Sequence, residues 1–292
     1  MSSIVRSVKD YFSLVKFSHT VFALPFAIIG FSMALSLEDQ HLNIRLLLLV
    51  ILCMVLARNS AMGFNRYADR KFDALNPRTS GREIPAGKIQ KRAVAAFVII
   101  NSILFIITTG FINNLTLLLS PVALAIILSY SLTKRITILC HFILGLGLSL
   151  APIGAYISVT GRFNIIPLIY SFIVITWVSG FDIIYALQDD DFDRTNKLHS
   201  IPSLVGRKRA IIISSIVHFI TFLLVILAGT LNKSGLIFWI GAAIFTILLV
   251  YQHLIIKPDN ITKVNLAFAT TNGIASIIFA TFVVMDLFLR RG

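Results

Sequence analysis

The sequence predicts an all-α polytopic membrane bundle of nine transmembrane helices, with two Asp-rich loops on its cytoplasmic side. Three observations carry this. The 292 residues are 57% hydrophobic and only 13% charged, well below the charge of a soluble domain, and the mean hydropathy is +0.88. Apolar runs recur that reach the roughly 20 residues a helix needs to cross about 30 Å of hydrocarbon. Lys and Arg gather in alternate connections between those runs. The strand alternation of a β-barrel is not the pattern here.

The spans follow in order. The first, 18–36, lacks a small-residue cleavage site and reads as a retained span, not a signal peptide. The second, 45–64, carries Arg58 and opens into the polar stretch 65–92. The third and fourth, 93–112 and 115–133, are separated by little more than Asn113 and Asn114, a tight helical hairpin. The fifth, 138–159, carries Gly145, Gly147 and Gly154, read as close-packing positions. The sixth, 164–187, holds Asp182 before it ends. The seventh to ninth are 209–230, 234–256 and 262–288, and residues 1–292 read as one transmembrane domain. Cys53 and Cys140 lie in or beside apolar segments and suggest neither a disulfide framework nor a zinc site. His19, His141 and His199 have no metal-ligand spacing and read as packing or hydrogen-bonding residues.

With the N-terminus inside, the cytoplasmic segments hold twenty Lys and Arg and the outer ones five. That bias sets the N-terminus and both large polar loops, 65–92 and 188–208, in the cytoplasm. It also accounts for the net charge of +13, so no nucleic-acid partner is implied. Arg70, Lys71, Lys88, Lys91 and Arg92 read as solvated charges of this kind.

Seven of the 13 acidic residues are Asp69, Asp73, Asp182, Asp189, Asp190, Asp191 and Asp193. Continued as a helix, the second span puts Arg58, Asn65 and Asp69 within about 40° of one another, with Asp73 about 40° further round. The sixth span, continued likewise, places Asp182, Tyr185, Asp189 and Asp193 on one face. Asp69 and Asp73 are four apart, as are Asp189 and Asp193, and Ile84-Pro85 and Ile201-Pro202 follow the two pairs, a weak internal repeat. Carboxylates this dense stay ionised together only around positive charge. All-oxygen sites of Asp and Asn suit Mg²⁺, which completes its shell with water and substrate phosphate. The interleaved basic residues Arg66, Arg70, Lys71, Arg78, Arg82 and Lys134 would neutralise the remaining phosphate charge, although for Arg70 and Lys71 the solvated reading is preferred. The pattern is a metal–diphosphate site at the membrane's cytoplasmic edge. Asp182, behind Trp177, Val178 and Phe181, is either paired or functional, because a bare charge there is expensive.

Asp189-Asp190-Asp191-Phe192-Asp193 also fits the DDxxD pattern of soluble prenyl diphosphate synthases. The larger resemblance is to the UbiA family of membrane prenyltransferases. Asn65-x-x-x-Asp69-x-x-x-Asp73, with Asn76-Pro77-Arg78 and Arg82-x-Ile84-Pro85-x-Gly87, resembles the family's first signature. Asp182-x-x-Tyr185-Ala186-x-Gln188-Asp189-x-x-x-Asp193, with His199-Ser200-Ile201-Pro202, resembles the second. Tyr130-x-x-x-Lys134-Arg135 is similar to the basic loop after span four. Lys16-Phe17-Ser18-His19-Thr20, running to Pro25, is similar to the start of the 4-hydroxybenzoate polyprenyltransferase branch. Glu83 departs from the pattern, where many members have Pro.

The resemblance implies Mg²⁺-dependent transfer of a polyprenyl group from polyprenyl diphosphate to a small aromatic acid within the bilayer of a bacterial inner or plasma membrane. Asn65, Asp69 and Asp73 would hold one Mg²⁺, and Asp189 and Asp193 a second. Arg78, Arg82, Lys134 and Tyr185 would steady the diphosphate, and Asp182 lies in the same substrate-binding set. Arg58, about 10 Å deeper than Asn65 at 1.5 Å per residue, either binds the acid's carboxylate or pairs with Asp182. The 23 Phe could line a tail tunnel or shield a cation, and none stands out by position. Acceptors in the family include 4-hydroxybenzoate, naphthoates, homogentisate and haem, and a futalosine-derived acceptor stays open. An ion-coupled transporter also carries intramembrane carboxylates, but it does not need Asp clustered at helix ends among Arg.

Overall fold

The computed structural model describes residues 10–15 and 22–290. His19 and most of the 16–25 likeness lie outside the described residues. Helix α1 covers 10–14. The rest run in order as α2 (Leu24–Leu37), α3 (Ile44–Leu75), α4 (Lys91–Gly110), α5 (Asn114–Thr133), α6 (Cys140–Thr160), α7 (Ile165–Ala186), α8 (Asp190–Thr195), α9 (Ile201–Val205), α10 (Arg207–Leu231), α11 (Leu236–Ile255) and α12 (Asn272–Leu289). A π-helical turn, Leu266–Thr271, leads into α12. Eight of these segments are long and apolar enough to cross a membrane, and α2 is a shorter apolar helix. They match the nine expected spans, and no strand occurs among the described residues.

The helix starts follow from their caps. Asn43 and Asn164 each accept a backbone N–H in the first turn of α3 and α7. Asn113 and Thr116 form a reciprocal capping box that opens α5, which is why two residues suffice for the α4–α5 hairpin. Gly161, at φ 67°, closes α6 in the left-handed region.

Two boundaries differ from the expectation. Helix α3 does not stop near residue 64 but continues to Leu75, so Asp69 and Asp73 stand on a helix and not in a loop. The sixth span does not continue as one helix through Asp193. Its backbone tightens to three-residue bonds at Leu187, Gln188 and Asp189, then restarts as α8 with Asp190, Asp191 and Asp193 in its first turn. Acidic side chains favour a helix N-terminus, so a run of Asp starts a helix better than it continues one. The two carboxylate pairs are therefore built differently, which weakens the repeat.

Helix α7 is the hub, packed against α6 and α10 with Tyr170, Trp177 and Val178 fully buried. Of the three glycines in α6, only Gly145 is a close-packing position. A Cβ there would stand 2.6 Å from the Ile175 carbonyl oxygen, whereas Gly147 meets nothing nearer than 3.9 Å and Gly154 nothing within 4 Å. Gly147 and Gly154 instead face the cavity described next.

Candidate active site

One cavity of about 630 Å³ is lined by Arg58, Asn65, Arg66, Asp69, Asp73, Arg78, Arg82, Lys134, Asp182, Tyr185, Asp189 and Asp193, but not by Arg70 or Lys71. Its other end reaches Val50, Ile112 and Phe163. Asp73 and Val50 are 23 residues apart on α3, or about 35 Å of helix. The cavity thus has a charged mouth and an apolar shaft, and mouth and shaft together run most of a bilayer's thickness.

Each paired carboxylate at the mouth has its own cation. Arg135 donates to Asp69 Oδ1 at 2.9 Å, while Asn65 Nδ2 donates to Asp69 Oδ2 at 3.0 Å. Arg82 donates to Asp73 Oδ1 at 2.6 Å. Arg78 holds Asp189 through both Nε, at 2.9 Å, and Nη2, and it donates from Nη1 to the Tyr185 hydroxyl at 3.1 Å. Lys134 Nζ lies 2.7 Å from Asp193 Oδ1, and Ser200 donates to Asp193 Oδ2. Asn76, the C-cap of α3, donates to Asp189 Oδ1 at 2.9 Å, so it ties the two Asp segments together. Burial opposes ionisation of Asp189, but Arg78 and Asn76 outweigh it and hold its carboxyl below the ordinary value. At Asp193 burial wins over Lys134 and Ser200, and the carboxyl is raised.

The residues fit a hard cation. Their donors are oxygens only, and Asp73 Oδ2 is buried with no hydrogen-bond partner. No cluster of three or more His, Cys, Asp or Glu side chains converges among the described residues. Mg²⁺ needs none, because it takes one or two carboxylates and fills its shell with water and phosphate.

Deeper in the cavity, Arg58 does not pair with Asp182. Its Nη2 donates to the Val15 carbonyl at 3.4 Å. The partner of Asp182 is His141, whose Nδ1 lies 2.6 Å from Asp182 Oδ2. Ile201 N–H donates to His141 Nε2, so the proton of a neutral imidazole sits on Nδ1, facing the carboxylate. The one sequence signal was Asp182 itself: a carboxylate in an apolar span needs a partner. Nothing local points to His141, 41 residues away. Asp190 leaves the DDxxD pattern, because Arg207 grips it bidentately at 2.7 and 2.8 Å. Glu83 is buried in an ion pair with Arg66 and accepts from Ser13, so this departure from the family pattern braces α1 beside the site.

The chain matches the UbiA prenyltransferase family over residues 23–280. It is 32% identical over 250 residues to the 4-hydroxybenzoate octaprenyltransferase of Aliivibrio fischeri strain ES114, covering 83% of this chain and 84% of that one. Among solved structures, the apo UbiA homolog from Aeropyrum pernix K1 superposes with TM-score 0.79 at 28% identity, over 93% of this chain and 98% of that one. A UbiA homolog from Archaeoglobus fulgidus, bound to DMAPP and Mg²⁺, shares the fold with TM-score 0.74 at 19% identity, over 96% and 99% of the two chains.

Proposed function

The chain belongs to the UbiA prenyltransferase family, and on that premise we propose that it transfers a polyprenyl group from its diphosphate to a ring carbon of 4-hydroxybenzoate or a closely similar aromatic acid. The observation that carries this is the single cavity that runs about 35 Å from a charged mouth to an apolar far end. A diphosphate suits the mouth, and a polyprenyl tail suits the shaft. The bundle lies in a bacterial inner membrane with its mouth at the cytoplasmic face, a placement supported by the Lys and Arg bias.

Asn65, Asp69 and Asp73 would hold one Mg²⁺, and Asp189 and Asp193 a second. Bound there, the metal supplies charge neutralisation for the diphosphate. Arg78, Arg82, Lys134 and Arg135 bind the diphosphate oxygens and keep them at the mouth as the allylic C–O bond breaks. The walls of the shaft exclude water from the allylic cation. As the new C–C bond forms, the ring carbon loses its proton. Asp182, oriented by the His141 Nδ1–H on its Oδ2, accepts that proton at Oδ1.

Arg58 lines the cavity at the depth where the acid's carboxylate would lie. Arg58→Ala is expected to raise the KM for the aromatic acid about 10-fold or more while the KM for prenyl diphosphate changes little, and Arg58→Lys is expected to be nearly as poor because a point charge cannot replace a planar fork. Equal small shifts in both KM values would sink the role. At Gly154 there is open space in the shaft, so Gly154→Trp is expected to fold and to obstruct it. Relative kcat/KM should then move toward short donors such as geranyl diphosphate. Unchanged preference across donor lengths would show that the tail lies elsewhere.

The reading is tested by giving the purified protein one polyprenyl diphosphate and a panel of aromatic acids, with products identified by mass. A C-prenylated 4-hydroxybenzoate is expected. A prenylated naphthoate or futalosine-derived acid alone would reassign the acceptor, and no diphosphate release with any acid would refute prenyl transfer.

A further inference from the structure

Trp177, Gln252, Asn272, His218 and His253 form a polar network inside the bundle, and no step above uses it. Gln252 and Asn272 are fully buried and His218 nearly so. Buried polar groups are costly unless bonded, and these are bonded throughout. His218 Nε2 donates to the Trp177 carbonyl at 3.1 Å, which leaves Nδ1 to accept from His253 Nε2 at 2.8 Å and from Gln252 at 3.3 Å. Gln252 Oε1 accepts from Asn272 Nδ2 at 3.2 Å, and Trp177 Nε1 donates to Asn272 Oδ1 at 3.0 Å.

The network ends on the π-helical turn. Asn272 Nδ2 also donates to the carbonyls of Ala267, at 2.8 Å, and Phe268, at 3.2 Å. These carbonyls belong to Leu266–Thr271, the one π-helical segment among the described residues. Such turns are rare and concentrate at functional sites. The only side chain of this turn on the cavity wall is Phe268. Its ring centroid lies 4.1 Å from that of Tyr185, 5.4 Å from Phe181 and 5.3 Å from Phe22. The Tyr185 hydroxyl in turn accepts from Arg78, which grips Asp189. Phe268 is therefore on the cavity wall one ring away from the diphosphate clamp.

We propose that Phe268, on the π turn whose carbonyls Asn272 bonds, is a catalytic residue whose ring face stabilises the allylic cation. The proposal rests on the prenyl-transfer reading above. The chemistry follows from position: the allylic carbon is bonded to the diphosphate until the C–O bond breaks. It then carries positive charge beside the clamp, and an aromatic face attracts a desolvated cation. No new bond or proton transfer is required of the ring.

The test replaces Phe268 by mono-, di- and trifluorophenylalanine in the full-length protein, which keeps ring shape while draining charge from its face. Single-turnover kcat is expected to fall stepwise, by roughly 10-fold or more across the series, with KM for both substrates nearly unchanged. Phe268→Leu should fall at least as far, while Phe268→Tyr should retain most of the rate. A flat series, or a rate that rises with fluorination as stacking on an electron-rich acceptor ring would give, overturns the proposal. Wild-type protein that releases no diphosphate would instead refute the prenyl-transfer reading, so the two failures are distinct.

Discussion

Asp69→Asn, Asp73→Asn, Asp189→Asn and Asp193→Asn are each expected to lower kcat by at least about 10²-fold, with the protein still inserted in the membrane. Losing a carboxylate that bears a metal should remove several kcal/mol of transition-state stabilisation. Each substitution also releases a cation from an ion pair at the mouth: Arg135, Arg82, Arg78 and Lys134 respectively. Breaking a buried pair destabilises a fold in its own right, so Tm is measured alongside turnover. Asp190→Asn supplies the contrast, because its carboxylate bonds Arg207 and does not line the cavity. It is expected to lower Tm while keeping turnover within a few-fold. Near wild-type turnover in any two of the four would end the two-metal reading.

Protein washed in excess EDTA is expected to lose turnover and to regain it with Mg²⁺ or Mn²⁺. The donors at the mouth are hard oxygens, which suit these ions, and the buried Asp73 Oδ2 has no other partner. Four Arg or Lys side chains at the same mouth offer a competing outcome, in which they alone hold the diphosphate. Full activity after chelation would favour that metal-free arrangement.

Much of the molecule was readable from local pattern. The spans emerge from hydropathy, because crossing a bilayer as a helix takes about 20 apolar residues whatever their neighbours are, and only α2, at 14 described residues, is shorter. The stripe Arg58, Asn65, Asp69 and Asp73 was readable because α3 continues its 3.6-residue period to Leu75, past the point where the apolar run ends. The same extrapolation failed at α7, where Asp189 and the acidic residues after it open a new helix. It failed because composition reports where apolar residues stop and not whether the backbone does.

The amino-acid sequence by itself determined the bundle, the number of spans and which charged residues belong to the mouth, since hydropathy and helical period act over neighbouring residues. Only the tertiary structure decided the partners. Helix crossing set His141 and not Arg58 against Asp182, drew Asp190 away to Arg207, left Gly154 facing open space and turned Phe268 onto Tyr185. A span's composition is nearly unchanged by rotation about its axis. The facing side chain is set by packing against other helices, and those contacts join residues dozens of positions apart.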